Sequence, residues 1–112
     1  MSILEKEIEG KLRDITKRYG GLCLKWVCPG WAGVPDRIVL LPGGRAIFVE
    51  TKRPRGGKLS TRQVWWGSQL QSLGFDYLVV WDGHDLMNFD SLLKNRLWSE
   101  RTQAYRQKGD LQ

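Results

Sequence analysis

The chain has 112 residues, a formal net charge of +6 and a sequence pI of about 9.6. This length has room for one compact domain, and the charge indicates a polyanionic partner, although many soluble domains are simply basic. No apolar run approaches the ~20 residues that cross a bilayer, and acids stand where a signal peptide has a basic region, so we expect no membrane partner. Cys23 and Cys28 lie too far apart on one predicted strand for a disulfide, so we expect reduced thiols and an intracellular protein.

The first half of the chain predicts a helix and three strands. Apolar residues recur at helical spacing from about residue 3 to residue 19, and Gly20-Gly21 predicts the end of that helix. Residues 22–28 read as a strand and residues 29–35 as a loop. Residues 37–41 and 46–50 flank Pro42-Gly43-Gly44-Arg45, which is typical of a β-hairpin.

The second half predicts a helix, a strand and a helical tail. A basic, glycine-rich loop over residues 53–58 precedes Ser60, which opens a helix through a capping box with Gln63. That helix runs to Gly74, and residues 76–81 form the last strand. His84 falls in a predicted turn and has no assigned role. A weaker helical pattern follows from Ser91, where basic residues outnumber acidic ones.

Charged residues stand beside the two hairpin strands. Asp36 precedes the first of them, and Glu50-Thr51-Lys52 ends the second. Residues two apart on a strand share a face, so Glu50 and Lys52 point the same way. Two carboxylates, completed by the Thr51 carbonyl oxygen, suit a hard cation such as Mg²⁺, and a lysine beside them stabilises developing charge on a phosphate. The pattern therefore favours phosphodiester hydrolysis over a turn aspartate beside a surface ion pair.

The length of the hairpin loop tests this interpretation. With a two-residue turn at Gly43-Gly44, Asp36 would lie opposite Thr51 and point away from Glu50. A three-residue connection or a bulge would move Asp36 opposite Lys52 and onto the face of Glu50. The chemistry therefore predicts an odd-length loop or a bulge.

Three runs of sequence resemble a known family. Residues 33–45, residues 48–54, and Leu59-Ser60 with Gln63 are similar to the virus-type replication-repair nuclease (VRR-NUC) family of the PD-(D/E)xK superfamily. The resemblance covers roughly residues 5 to 81. It implies an α/β, restriction-endonuclease-like core, helix–three strands–helix–strand, with a mixed sheet flanked by helices. It also implies a nuclease domain over residues 1–90, which leaves residues 91–112 as a basic helical tail.

The resemblance implies a DNA endonuclease that depends on Mg²⁺ or Mn²⁺, with Asp36 and Glu50 as metal ligands and Lys52 as the catalytic lysine. A further acid is expected from the first helix, whose apolar stripe favours Glu5 over Glu9 and directs Glu7 elsewhere. Gln63 either orders the site, as a glutamine does in the family, or only caps its helix.

The resemblance also suggests a biological setting. Stand-alone members occur in phages and prophages, act on branched DNA such as Holliday junctions, and form homodimers. A member encoded by a phage would act in the cytoplasm of the host cell. The alternatives are a restriction-like or exonuclease member of the superfamily, or a DNA-binding module that has lost catalysis.

Several residues near these motifs are predicted to contact DNA. The loop after Lys52 is basic, and its two glycines allow close approach to a phosphate backbone, which we favour over a merely solvated loop. Trp31 is a candidate platform for an unpaired base. Trp65 and Trp66 cannot both face the core, so one is expected at a rim or a dimer contact. The predicted DNA-binding set is Arg37, Arg53, Arg55, Lys58, Arg62 and Trp31.

Overall fold

The computed structural model describes residues 5–53 and 56–95. Its elements in chain order are α1 (Glu5–Arg18), β1 (Leu22–Lys25), β2 (Arg37–Leu41), β3 (Arg45–Thr51), α2 (Thr61–Ser72), β4 (Asp76–Val80) and a further helix, α3, over 83–95. The predicted order of helix, three strands, helix and strand is confirmed. The first strand is shorter than predicted, because it ends at Lys25 rather than at Cys28.

The four strands form one mixed sheet in the order β1-β2-β3-β4. The first three strands pair antiparallel, whereas β4 lies parallel to β3. Neighbouring parallel strands need a crossover connection, and α2 supplies it. The predicted α/β fold with a mixed sheet flanked by helices is therefore confirmed.

The hairpin between β2 and β3 has an odd-length loop. Leu41 pairs with Arg45, which leaves residues 42–44 as the connection, and Gly43 and Gly44 have φ angles of +88° and +78°. The prediction of an odd-length loop is confirmed. One detail was wrong, because extending this register by one pair sets Asp36 opposite Glu50 rather than Lys52. The two positions share a face, so the conclusion about Asp36 and Glu50 is unaffected.

Helices cover both faces of the sheet. The core on one face joins α1 and α3 to alternate residues of the strands, and it includes Ile8, Leu12, Val39, Ile47, Val49, Phe89 and Leu93. The opposite face carries Phe48 and Glu50 beneath α2. Because side chains alternate along β3, Glu50 lies on the α2 side and its neighbour Thr51 on the α1 side.

The helix α3 begins earlier than the sequence pattern suggested. Asp82 accepts a hydrogen bond from the amide of Asp85 at 3.0 Å, and the Asp85 carboxylate accepts one from the amide of Trp81 at 2.8 Å. Asp82 caps the first turn and Asp85 holds the residue before Asp82, so the helix begins at residue 83 and the prediction of a turn at His84 was wrong. Leu93 of α3 is fully buried in the core, while the domain boundary at residue 90 stays a prediction. Residues 96–112, most of the predicted basic tail, lie outside the described residues.

Two further expectations concern membrane-spanning helices and the state of the cysteines. Among the described residues, no helix combines the length and the apolar character needed to cross a membrane. Cys23 and Cys28 are both free, as predicted.

Candidate active site

Asp36 lies just before β2, and its carboxylate contacts the end of the neighbouring strand β3. Its Oδ2 accepts a hydrogen bond from the backbone amide of Thr51 at 3.0 Å and another from the Thr51 hydroxyl at 2.9 Å. The residue follows Pro35 and immediately precedes β2, so its carboxylate reaches across to the end of β3. Both strand ends thus contribute to one cluster of polar groups.

Helix α1 brings two acids to this cluster. Glu5 and Glu9 are one helical turn apart, and each offers a carboxylate oxygen that lies within 4.8 Å of the other and of Asp36. The Thr51 hydroxyl oxygen is 3.3 Å from Glu9 Oε1 and 3.5 Å from Glu5 Oε1. Sequence analysis favoured Glu5, but the helix presents both. Glu7 is exposed and lies apart from the cluster, as its helical position predicted.

Arg37 is largely buried beside helix α1. Only 8% of the residue is exposed, and its Nη2 lies 3.6 Å from Glu9 Oε2. Its Nε is buried without a hydrogen-bond partner among the described residues. This arrangement makes Arg37 a counter-ion for Glu9, while contact with DNA stays a prediction.

Glu50 is the most deeply buried acid of the site. It is 1% exposed, and its Oε2 has no hydrogen-bond partner in the described part of the chain. Burial raises the pKa of Glu50 to about 9, helped by a hydrogen bond to the neighbouring Asp36 and by the charge of that carboxylate, while Lys52 opposes the shift. A buried carboxylate in this state needs a compensating cation to ionise near neutral pH.

Gln63 connects Glu50 to the start of α2. Its Oε1 accepts a hydrogen bond from the backbone amide of Ser60 at 2.8 Å. The backbone amide of Gln63 donates to the Ser60 hydroxyl at 3.1 Å, which completes the capping box. The side-chain Nε2 donates to Glu50 Oε1 at 3.2 Å. Sequence analysis treated capping and site contact as alternatives, and the one side chain makes both contacts.

Lys52 follows directly after β3 and is half-buried. Its backbone amide donates to the Val80 carbonyl at 3.0 Å, which fixes the chain beyond the strand end. Its charge lowers the pKa of Glu50, so the ammonium group acts on that carboxylate. On the same face, Tyr77 of β4 has a pKa raised to about 12, by burial first and by the charges of Glu50 and Asp36 second.

The predicted DNA-binding residues fall into three groups. Arg53, Lys58 and Arg62 are exposed around the site, and Trp31 is 57% exposed. Arg37 is buried, as described above. Arg55 lies outside the described residues.

The sequence pattern predicted a role for the carbonyl oxygen of Thr51, whereas the structure places its side-chain hydroxyl in the site as well. The available signal was strand alternation, because a residue between Glu50 and Lys52 must face the opposite side, where α1 packs. The hydroxyl there holds Asp36 between the α1 acids and Glu50.

Carboxylates gathered where a hairpin ends, with a lysine two residues beyond one of them, define the PD-(D/E)xK class of nucleases. No model of a protein family matches the sequence. The chain is 43% identical over 84 residues to "Putative nuclease p44" of Acyrthosiphon pisum secondary endosymbiont phage 1, which covers 75% of this chain and 88% of that protein. A solved structure described as a VRR_NUC domain superposes with a TM-score of 0.71 and 26% identity, covering 75% of this chain and 90% of the other. The chain belongs to the VRR-NUC family of nucleases.

Proposed function

We propose that this protein is a metal-dependent endonuclease that cuts phosphodiester bonds in branched DNA, during phage or prophage replication and repair in the host cytoplasm. The observation that carries the proposal is the position of Asp36. Its carboxylate lies within 4.8 Å of those of Glu5 and Glu9, and its charge helps raise the pKa of the neighbouring buried acid Glu50. Lys52 follows Glu50 by two residues. The VRR-NUC family and the phage relative support the same activity.

The residues at this site fit a divalent cation. The candidate ligands are carboxylate oxygens and one backbone carbonyl oxygen, and Mg²⁺ and Mn²⁺ prefer such oxygen donors. Glu50 Oε2 is buried without a hydrogen-bond partner among the described residues, which is the condition that a bound cation would relieve. Asp36 and Glu50 would hold the ion, with the Thr51 carbonyl oxygen and one or both α1 glutamates as further ligands.

When bound, a divalent cation neutralises charge on the scissile phosphate and acidifies the attacking water. Around it, the chain supplies orientation and positive charge. Gln63 holds Glu50, Thr51 holds Asp36, and Arg37 holds Glu9. The Lys52 ammonium group orients the water and stabilises the negative charge that develops on the phosphate.

The surface around these acids suits a nucleic-acid backbone. Arg53, Lys58 and Arg62 are exposed beside the site, and the whole chain carries a net charge of +6. Cations attract phosphates without regard to base sequence, so they position the backbone over the acids while the shape of the DNA selects the cutting site.

A homodimer would suit a four-way junction, because two symmetric sites can make paired cuts. Apolar side chains on the β1–β2 face of the sheet offer one surface for such contact. Leu22, Leu24 and Leu40 are 60%, 46% and 39% exposed on neighbouring strands.

Cleavage of a labelled four-way junction, a flap and a linear duplex, each with Mg²⁺ and with chelator, tests the proposal. We expect branched DNA to be cut only with the metal. Lys52→Ala should slow cleavage by about 100-fold or more while DNA binding changes little, because the lysine acts on charge that appears during the reaction. Lys17→Ala, an exposed lysine at the far end of α1, is the matched control.

The same assay separates the alternatives. Equal cutting of the linear duplex would favour a restriction-like or exonuclease activity. Binding without cleavage, unchanged in Glu50→Gln, would indicate a DNA-binding module. Full activity of Lys52→Ala would remove that lysine from the mechanism.

A further inference from the structure

A small cavity of about 220 Å³ lies beside the site, between the loop that precedes Asp36 and the first turns of α2. We call it the tryptophan pocket, and its lining consists of Trp31, Ala32, Arg62, Trp65 and Trp66. The rings of Trp31 and Trp65 meet Trp66 edge-on, with centroid distances of 5.8 and 5.2 Å and interplanar angles of 80° and 86°.

Packing accounts for only one of the three tryptophans. Trp66 is half-buried, contacts Trp26 at a centroid distance of 5.9 Å, and donates from its indole nitrogen to the Ala32 carbonyl at 3.1 Å. Trp31 and Trp65 remain 57% and 47% exposed. Two large aromatic side chains at the mouth of one cavity form an exposed apolar surface of the kind that marks a binding site.

The pocket is held in shape by close backbone contact. Gly33 has a φ of +83°, and a Cβ atom at this position would lie 2.6 Å from Arg62 Cβ. The loop and the helix therefore touch at a point where only glycine fits. With the hydrogen bond from Trp66 to Ala32, this contact fixes the two sides of the pocket before any ligand arrives, which lowers the entropic cost of binding.

Both segments that line the pocket lie close along the chain to residues of the acidic site. Gly33 precedes Asp36 by three residues, so their Cα atoms are at most about 11 Å apart. Arg62 is the neighbour of Gln63, which contacts Glu50. A nucleotide held in the pocket would therefore have its backbone close to the carboxylates.

The chemistry of the lining fits a nucleobase. Bases stack on tryptophan rings irrespective of sequence, and a guanidinium group adds attraction to their π faces. The volume is smaller than the roughly 300–1,000 Å³ of typical pockets for drug-sized ligands, which suits one planar ring system. A paired base is stacked within its duplex, so only an unpaired or extruded base is able to enter.

We propose that the tryptophan pocket binds the base of an unpaired nucleotide adjacent to the scissile phosphate. This inference rests on the proposed function and adds to it a means of recognising DNA that departs from a continuous duplex. Arg62 then serves the base as well as the backbone.

The test measures DNA binding in chelator, so that cleavage plays no part. The probes are a forked duplex with a short single-stranded arm, the same fork with an abasic residue at each arm position in turn, and a blunt duplex. The variants are Trp31→Ala and Trp65→Ala. Leu73→Ala, on a residue that is 72% exposed just after α2, is the matched control.

We expect each tryptophan variant to bind the fork about fivefold or more weakly, with the blunt duplex unaffected, because one stacked base is lost. One abasic position should cause the same loss in the wild type and no further loss in Trp31→Ala. Trp31→Phe should restore most of the affinity. Binding by wild-type protein that cuts nothing when Mg²⁺ is added would refute the proposed function and leave the pocket supported.

Three results would overturn the inference. The first is unchanged affinity of both tryptophan variants for the fork. The second is an equal loss on the fork, the abasic forks and the blunt duplex, which would indicate a general structural effect. The third is a fall in the molecular mass of the free variants in sedimentation, which would assign these tryptophans to contact between two copies of the chain.

Discussion

The buried acid Glu50 makes the metal-free protein sensitive to pH. The residue is 1% exposed, and its Oε2 lacks a hydrogen-bond partner among the described residues. Glu50→Gln removes the ionisable group but keeps the Oε1 acceptor for Gln63. We expect this variant to be more stable than the wild type at alkaline pH when no divalent metal is present.

The size of the effect follows from the two pKa values of Glu50. The pKa is 4.5 in the unfolded chain and about 9 in the folded one, so between these values the folded state carries the extra proton. The free energy of unfolding therefore falls as pH rises, by at most about 1.4 kcal/mol per pH unit. From pH 6 to pH 8 the wild type should lose as much as about 3 kcal/mol relative to Glu50→Gln.

Urea denaturation in chelator at pH 6 and pH 8 measures this difference. All other ionisable groups are common to both proteins, so the comparison isolates Glu50. The wild-type midpoint should fall more steeply with pH than that of the variant. An equal decline in both proteins would refute the assignment of a raised pKa to Glu50.

Four further predictions concern single features of the site and the core. Addition of Mg²⁺ at pH 8 should raise the thermal midpoint of the wild type but not that of Glu50→Gln, and an equal rise in both would show that the ion binds elsewhere. Gly67→Ala should lower the free energy of unfolding in urea by about 1–3 kcal/mol, because its Cβ would lie 2.5 Å from the Tyr77 ring; an unchanged free energy would mean that the ring moves freely. Thr51→Val should cost about 1 kcal/mol in chelator and Thr51→Ser much less, since only the former loses the hydroxyl; equal losses would attribute the effect to packing. Leu93→Ala should cost about 2–5 kcal/mol by leaving a cavity in the core, whereas a loss within experimental error would separate residues beyond 90 from the domain.

Sequence patterns predicted most of the fold. Apolar spacing marked α1, the residues of the Pro42–Arg45 turn marked the hairpin, and a capping box marked the start of α2. The hairpin loop was correctly predicted to have an odd number of residues, but the residue opposite Asp36 on the neighbouring strand is Glu50 and not Lys52. Chemistry required an odd number of loop residues and could not distinguish two registers that differ by two. Pro42 has no amide hydrogen for pairing, and the strand resumes at Arg45, which selects the register found.

Two other differences have identifiable causes. Glu5 and Glu9 are one helical turn apart, and both border the apolar stripe of α1. The position of that stripe therefore favours Glu5 without excluding Glu9, and packing of α1 against β3 brings both side chains to Thr51. The start of α3 was marked by Asp82 and Asp85, spaced as in a capping box. That signal lies upstream of the apolar pattern, which becomes regular only from Ser91 onward.

The double attachment of Gln63 restricts what evolution can change at this position. A helix start of this type accepts either glutamate or glutamine at the third residue. Glutamate at 63 would turn a second carboxylate towards Glu50, whereas the amide nitrogen of glutamine donates to it. Fraying of the first turn of α2 would also release Glu50, so the orientation of that acid depends on the stability of the turn.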